Sequence, residues 1–182
     1  QERGTYDFIF ADPARRDEDN KKLFQFSDCD PDVTAMQDSI WTKTDGLLIK
    51  ASPMLDLQMG IGGLKYVKTI YILAVANEVK EVLFLSAKNF GVEPEIRCVN
   101  LPQASGFGTP AGGSEEQFRF TMSDERAARS TFSKPLTYVY EPNAALMKAG
   151  AFRLISTRHQ LHKLSINTHL YTNETIFSAF PG

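Results

Sequence analysis

The sequence predicts an α/β protein followed by a smaller α+β region, and three observations support this fold class. Over residues 1–102, short apolar runs typical of buried strands alternate with segments of helical periodicity. Residues 103–116 are rich in glycine and proline, a composition typical of a linker. Strand-like and helix-like segments then start again over residues 117–182. We therefore expect two domains, 1–102 and 117–182, joined by the linker.

In the first region the pattern predicts strands and helices in alternation. A helix over 31–43 follows from Val33, Ile40 and Trp41 at helical spacing. A second helix over 77–89 follows from Asn77, a good N-cap residue, with Glu78 in the first turn. The strands are expected at 6–11, 47–51, 68–76 and 95–101. Residues 66–102 would then form a ferredoxin-like βαβ segment.

Residues 56–64 are ambiguous, because apolar residues at helical spacing are interrupted by Gly60, Gly62 and Gly63. The glycines lack the spacing of a dinucleotide loop and follow no strand, so a turn between a helix and a strand is the preferred interpretation. In the second region we expect strands at 117–122, 136–140 and 168–171 and helices at 123–131 and 143–160. Ser123 and Asn143 are the expected N-caps of these two helices.

The composition limits the function classes. The formal net charge of −2 does not suit a protein that binds polyanions over its whole surface. Cys29 and Cys98 lie far apart, which argues against a disulfide framework or a zinc site and fits a reducing compartment. His159 and His162 have no cysteine or carboxylate nearby, so no metal site is expected. There is neither a signal peptide nor an apolar run of ~18 residues, so we expect a cytoplasmic protein without membrane contact.

The first expected strand ends in a polar motif, Asp12-Pro13-Ala14 followed by Arg15 and Arg16. Ligands of open α/β sheets bind beyond the carboxyl ends of the strands, so this acid and rigid backbone could hold a reacting group while the arginines bind phosphate. A plain strand-to-loop turn capped by Asp12 explains the same residues. Lys50 ends the next expected strand and would lie on the same edge, lining a site or extending from an edge to solvent.

No acidic residue occurs between Glu141 and Glu174, and this span contains several cations. Such a local excess of positive charge is typical of phosphate-backbone recognition, and tyrosines such as Tyr138 could stack on unpaired bases. A solvated helix face with cations near its C-terminus would produce the same pattern. The candidate RNA-binding cations are Lys148, Arg153, Arg158 and Lys163.

Three stretches resemble class I S-adenosylmethionine-dependent methyltransferases of a Bacteroidetes type that carry a C-terminal THUMP-like domain. They are YDFIFADPARRD, then LLIKASPMLDL with ILAVANEVKEVLF, and finally YVYEPNAALMKAGAF with NTHLYT and a terminal FPG. The resemblance implies a Rossmann-like sheet in which Asp12, Pro13 and Ala14 form the strand-4 motif beside the methyl donor. It also implies that Lys50 lies near the end of strand 5 and that about 118–182 contacts RNA.

Two departures from the family pattern narrow the range of methylation reactions that we expect. Ala14 stands where a second proline is usual and Arg15 where an aromatic ring stacks on the target base, which argues against methylation of an exocyclic amine. Ala51 stands where RNA 5-methyluridine methyltransferases place a nucleophilic cysteine, so covalent catalysis of that type is not expected.

The chain opens at Gln1 almost directly into a strand and lacks the glycine-rich loop that holds S-adenosylmethionine. We therefore expect the C-terminal part of a longer RNA methyltransferase, with little cofactor binding and no turnover by this chain alone. Two alternatives remain open: a non-catalytic RNA-binding protein on an α/β scaffold, and an interaction domain that binds no nucleic acid.

Overall fold

A computed structural model describes residues 4–15, 26–103 and 115–182. In chain order the strands are β1 (Ile9–Ala11), β2 (Ala14–Arg15), β3 (Cys29–Asp30), β4 (Gly46–Ala51), β5 (Val67–Val75), β6 (Glu78–Ala87), β7 (Glu95–Leu101), β8 (Glu116–Phe120), β9 (Thr131–Phe132), β10 (Tyr138–Tyr140), β11 (His162–Lys163) and β12 (Tyr171–Asn173). The α-helices are α1 (Val33–Trp41), α2 (Leu57–Gly63), α3 (Met122–Ala127), α4 (Ala144–Ala149) and α5 (Phe152–Arg158). A 3-10 turn spans Phe26–Asp28.

The fold is mixed α/β, which confirms the fold class expected from the sequence. The larger sheet has the strand order β1-β4-β6-β5-β7-β8, and a smaller sheet has the order β10-β12-β11-β9. β1 runs parallel to β4, whereas β6 runs antiparallel to β4. The chain divides into two compact units: unit 1 comprises Gln1–Tyr71 and Lys80–Glu95, and unit 2 comprises Ile72–Val79 and Ile96–Gly182. The expected linker falls mostly on residues 104–114, which lie outside the described residues.

Unit 1 buries one face of β4 and β6. Leu47 and Ile49 of β4 and Val82 and Phe84 of β6 are almost fully buried, and they alternate with more exposed residues as a half-buried strand requires. The expected helix over 31–43 is confirmed as α1. The side chain of Asp32 caps it by accepting hydrogen bonds from the backbone N–H groups of two first-turn residues.

The core of unit 2 packs helices α4 and α5 with the smaller sheet's strand β12. Leu146, Ile155 and Tyr171 are almost fully buried. The Tyr171 hydroxyl donates a hydrogen bond of 2.8 Å to the carbonyl oxygen of Phe152, so this buried phenol has a partner.

The expected helix over 77–89 is wrong, and so is the βαβ segment over 66–102 that depended on it. Residues Glu78–Ala87 form strand β6, which neighbours β5 in the sheet. Ala76 and Asn77 both have positive φ, 49° and 61°, and join the two strands in a tight turn. Asparagine tolerates this backbone region, so Asn77 serves a hairpin turn instead of a helix cap.

Three other expectations about helices are also wrong. The single helix over 143–160 is two helices, α4 and α5, because Gly150 between them has a φ of +75°. Helix α3 is capped by Thr121 in a complete capping box, not by Ser123. Residues 57–63 form helix α2, although the sequence was ambiguous over 56–64 and a turn was preferred for its glycines at 60–63. In α2 a Cβ added at Gly60 would lie 2.6 Å from Cζ of Phe84, so close packing explains this glycine.

Candidate functional site

The carboxyl ends of β1 and β4 bring together the two residues that the sequence placed at one sheet edge. Ala11 pairs with Ile49 in the parallel register, so Asp12 and Lys50 follow at adjacent positions. Lys50 Nζ donates a hydrogen bond of 3.0 Å to Asp12 Oδ2. Their shared edge is confirmed, while the catalytic roles assigned to Asp12, Pro13, Ala14 and Lys50 stay predictions.

A second carboxylate completes the cluster. Glu81 of β6 lies with Oε1 3.7 Å from Lys50 Nζ, so one ammonium group faces two carboxylates. We call Asp12, Lys50 and Glu81 the acidic edge. The hydrogen bond to Asp12, followed by the charge of Glu81, raises the pKa of Lys50 above its ordinary 10.5. Lys50 is therefore a cation at neutral pH, which suits it to orient a carboxylate and not to act as a general base.

The acidic edge borders a cavity of about 280 Å³. Its polar wall comes from the acidic edge and from Lys80 and Ser52, and its apolar wall includes Phe26. The other lining residues are Pro13, Cys29, Ala51, Pro53 and Leu55. A concave apolar site with a few convergent polar groups at strand ends is typical of small-molecule binding. Because ligand pockets usually hold about 300–1,000 Å³, this cavity suits a small group or one part of a larger ligand.

Sequence reasoning missed Lys80, Glu81 and Phe26 as residues of this cavity. The first two fell in the segment expected to be helical, where neither would lie beside Lys50. The signal that could have placed them is the alternation of buried Val82 and Phe84 with more exposed neighbours along β6.

The rest of the opening motif is only partly described. Ala14 lies in β2 and pairs with Asp30 of β3. The side chain of Arg15 and the whole of Arg16 lie outside the described part of the chain. Phosphate binding by these arginines therefore stays a prediction.

The candidate RNA-binding cations of unit 2 do not line one common cavity. Arg153 and Lys163 line one cavity, whereas Arg158 lines another. The Arg158 guanidinium lies 4.8 Å from the Phe118 ring centroid and donates a hydrogen bond of 2.6 Å to the Arg119 carbonyl oxygen. Lys148 is half-buried and has an interaction partner. Tyr138 remains partly exposed.

The described residues contain neither a metal-binding cluster nor a helix that could span a membrane. Over 4–15, 26–103 and 115–182, no group of three or more histidine, cysteine, aspartate or glutamate residues is arranged to hold a metal ion. The helices in those ranges are too short or too polar to cross a bilayer.

Comparison with known proteins yields one family model and one solved structure. The model of a ferredoxin-like domain matches residues 138–181. The solved structure is that of a candidate methyltransferase from Porphyromonas gingivalis W83, which shares 35% sequence identity over 97% of this chain with a TM-score of 0.82. This chain spans 42% of that protein's length. No curated protein matches the chain.

Proposed function

We propose that this chain is part of an S-adenosylmethionine-dependent methyltransferase and that the acidic edge belongs to its catalytic centre. The observation that carries the proposal is the similarity to the candidate methyltransferase, at 35% identity and a TM-score of 0.82. The acidic edge supports it, because Asp12 and Lys50 lie at the carboxyl ends of parallel strands, where α/β sheets bind ligands. Because the chain spans 42% of that relative, the activity is proposed for a longer protein.

The residues of the acidic edge fit one part of this cofactor. S-adenosylmethionine supplies an electrophilic methyl group on a positively charged sulfur. Asp12 and Glu81 offer two carboxylates to that charge, while Lys50 and Lys80 bring the formal charge of the lining to zero. The cavity of about 280 Å³ is below the usual size for a nucleoside-sized ligand. We therefore propose that this chain supplies one wall of the site and that the cofactor's main binding loop lies upstream of Gln1.

Within this site, we propose that the chain orients the substrate group that accepts the methyl. Lys50 holds Oδ2 of Asp12, which leaves Oδ1 to accept a hydrogen bond from the N–H or O–H group of a substrate. Pro13 restricts the backbone directly after the acid. Holding acceptor and donor in a productive geometry can contribute several orders of magnitude to the rate of a two-substrate reaction.

We propose RNA as the substrate. The support is the acid-free span between Glu141 and Glu174, together with the partly exposed Tyr138 as a stacking platform. The match to a ferredoxin-like domain over 138–181 covers the whole of that span. We extend the proposal to a THUMP-like role in RNA contact for residues 117–182 and to a cytoplasmic location.

The test is methyl transfer from radiolabelled S-adenosylmethionine to total bacterial RNA. The protein extended upstream to the length of its relative should incorporate label, whereas the present chain should bind the cofactor weakly and transfer nothing. Turnover by the present chain would contradict the proposed division of the site. Absence of transfer by the extended protein to RNA, DNA and protein alike would contradict a methyltransferase.

The role of Asp12 is tested in the extended protein by Asp12→Asn. We expect the transfer rate to fall by about 10²-fold, the lower part of the range for a positioned catalytic group, while RNA affinity is unchanged. The matched control is Asp45→Asn, because Asp45 also pairs with a lysine, Lys88, at 3.1 Å in unit 1 but does not line the cavity. Equal losses in the two variants would overturn the role of Asp12.

The same assays distinguish the second candidate, a non-catalytic RNA-binding protein. In that case RNA would bind with a strong salt dependence, which Lys148→Ala or Arg153→Ala would weaken, but no label would be transferred. If the protein neither transfers label nor binds RNA in a salt-dependent way, the remaining interpretation is an interaction domain that binds no nucleic acid.

A further inference from the structure

A second cavity, of about 520 Å³, lies within unit 2 and shares no residue with the cavity beside the acidic edge. Its lining combines three cationic side chains with an apolar wall. The cations are Arg129, Arg153 and Lys163, and the apolar residues are Phe132, Phe152 and Ile166. We call this the basic cavity.

Among the described lining residues of the basic cavity, the carboxylate of Glu125 is already engaged by protein groups. Glu125 is buried and accepts backbone N–H hydrogen bonds of 2.9 Å from Arg153 and 2.8 Å from Leu154, and another of 3.2 Å from Nε of Arg153. These bonds hold the start of α5, whose own N-cap residue makes no side-chain hydrogen bond. The described lining therefore has a formal excess of two positive charges.

Several donors of the cavity have little or no protein partner among the described residues. Lys163 is only 5% exposed, yet the hydrogen bond of its Nζ, to the Ile166 carbonyl oxygen, is long at 3.4 Å. Ser130 Oγ and His169 Nδ1 are buried from solvent and make no hydrogen bond. Buried polar atoms are almost always paired, so two such atoms beside a nine-tenths buried lysine point to a ligand.

The electrostatics of the cavity favour an anion. Burial, with a smaller effect of the charge of Arg153, lowers the pKa of Lys163 below its ordinary value, although the charge of Glu125 acts in the opposite direction. Burial together with the charge of Lys163 lowers the pKa of His169. A negatively charged group beside Lys163 would offset the desolvation of its ammonium and accept hydrogen bonds from both Lys163 and Arg153.

The apolar part of the cavity suits a planar group. Phe152 stacks on His169 with ring centroids 3.7 Å apart, which fixes both rings in the wall. Phe132 remains 54% exposed. An exposed aromatic ring beside cationic donors is the arrangement by which proteins stack nucleobases while they bind phosphate.

We propose that the basic cavity binds a nucleotide through its terminal phosphate, held by Arg153 and Lys163, with the base stacked on Phe132. A terminal phosphomonoester is close to dianionic at neutral pH, which matches the excess of two positive charges better than a carboxylate or an internal phosphodiester does. The ligand is a free nucleotide or the 5′-phosphorylated end of an RNA. This inference does not depend on methyl transfer, because it concerns other residues and a binding equilibrium.

The test is calorimetric titration of the present chain with AMP, adenosine and inorganic phosphate. AMP should bind at least about tenfold more tightly than adenosine or phosphate alone, and its affinity should fall as sodium chloride is raised from 50 to 300 mM. Equal affinities for AMP and adenosine would overturn the proposal, since the phosphate would then contribute nothing.

Substitutions in the basic cavity test whether AMP binds there. Arg153→Gln and Lys163→Met should each weaken AMP binding at least about tenfold, whereas Lys134→Met removes an exposed lysine of unit 2 and should leave it unchanged. Phe132→Ala changes only an exposed side chain, so it should fold normally and weaken AMP but not inorganic phosphate. Equal losses for Lys134→Met and Lys163→Met would overturn the proposed site.

Two RNA oligonucleotides of one sequence, with a 5′-phosphate or a 5′-hydroxyl, distinguish the sources of the ligand. Preference for the phosphorylated end that Lys163→Met abolishes identifies an RNA terminus. Binding of AMP without such a preference identifies a free nucleotide. Failure of both AMP and phosphorylated RNA to bind would overturn the proposal and would leave the methyl-transfer assay unaffected.

Discussion

Lys50 and Lys163 are both lysines in strands, but their surroundings change proton affinity in opposite directions. At the acidic edge, Lys50 faces two carboxylates and keeps contact with solvent, so its pKa is raised. In the basic cavity, burial and then the charge of Arg153 lower the pKa of Lys163, and the charge of Glu125 offsets this shift only in part. A lysine in an apolar strand therefore indicates a functional site only when its partners are known. Lys50 has two carboxylates within ion-pair distance, whereas the charge of Glu125 only partly offsets the desolvation of Lys163.

The largest expected effect comes from removing the carboxylate that supports the basic cavity. Glu125→Ala leaves the buried N–H groups of Arg153 and Leu154 without an acceptor and removes the partner of the Arg153 side chain. We expect a loss of about 2–4 kcal/mol in the free energy of unfolding, measured by urea denaturation. Glu141→Ala is the control, because that side chain is exposed, and it should change stability by less than about 0.5 kcal/mol. Similar losses in both variants would show that the buried carboxylate has no special structural role.

The second prediction perturbs the wall of the cavity beside the acidic edge. Gly60→Ala would press on Phe84, which packs edge-on against the cavity residue Phe26 with ring centroids 5.3 Å apart. Overpacking of this kind should cost about 1–3 kcal/mol. Gly62→Ala in the same helix meets no atom within 4 Å and should be neutral or stabilising, up to about 1 kcal/mol.

A double variant identifies the cause of the loss at Gly60. Adding Phe84→Leu should cost less in the Gly60→Ala background than in the wild type, because the smaller side chain relieves the contact. Strict additivity of the two free-energy changes, measured by urea denaturation, would contradict overpacking against that ring.

The smallest expected effects are the changes with pH in what Lys50 and Lys163 contribute to stability. Each contribution is measured as the difference in the free energy of unfolding between the wild type and the methionine variant. The folded pKa of Lys163 is below 10.5, so its charge is destabilising at neutral pH and this penalty disappears as pH rises towards 10.5. Lys163→Met should therefore gain stability at pH 7, and the gain should shrink on the way to 10.5. The folded pKa of Lys50 is above 10.5, so its contribution is complete below 10.5 and is lost above it.

Lys50→Met should accordingly lose stability by a constant amount up to about pH 10.5, the ordinary lysine value, with the loss disappearing at higher pH. Urea denaturation at several pH values between 7 and 11 measures both differences. Parallel pH profiles for the two variants would refute the contrast between the sites.

Much of the fold was predictable because the decisive signals are local. Strand β4 was expected at 47–51 and occurs at Gly46–Ala51, and the helix expected over 31–43 occurs as α1. The neighbourhood of Asp12 and Lys50 was also predictable, since parallel strands end at one edge. The segment after Asn77 was not predictable in this way, because an asparagine favours a helix cap and a hairpin turn for the same reasons. Because a helix was expected over 77–89, Lys80 and Glu81 were not assigned to the predicted site.

The sequence by itself determined strand β4, helix α1, the N-cap at Asn143 and the acid and proline that follow the first strand. The sequence predicted that Asp12 and Lys50 share a sheet edge, but tertiary structure alone decided that Glu81 joins them and that Arg153 pairs with Glu125. Lys50 and Asp12 are 38 positions apart, and Arg153 and Glu125 are 28 apart. Local propensity acts over a few residues, whereas burial and pairing across such separations depend on how strands and helices pack. The burial of Lys163 and the opposite proton affinities of the two lysines therefore follow from the fold and not from the residues that flank them.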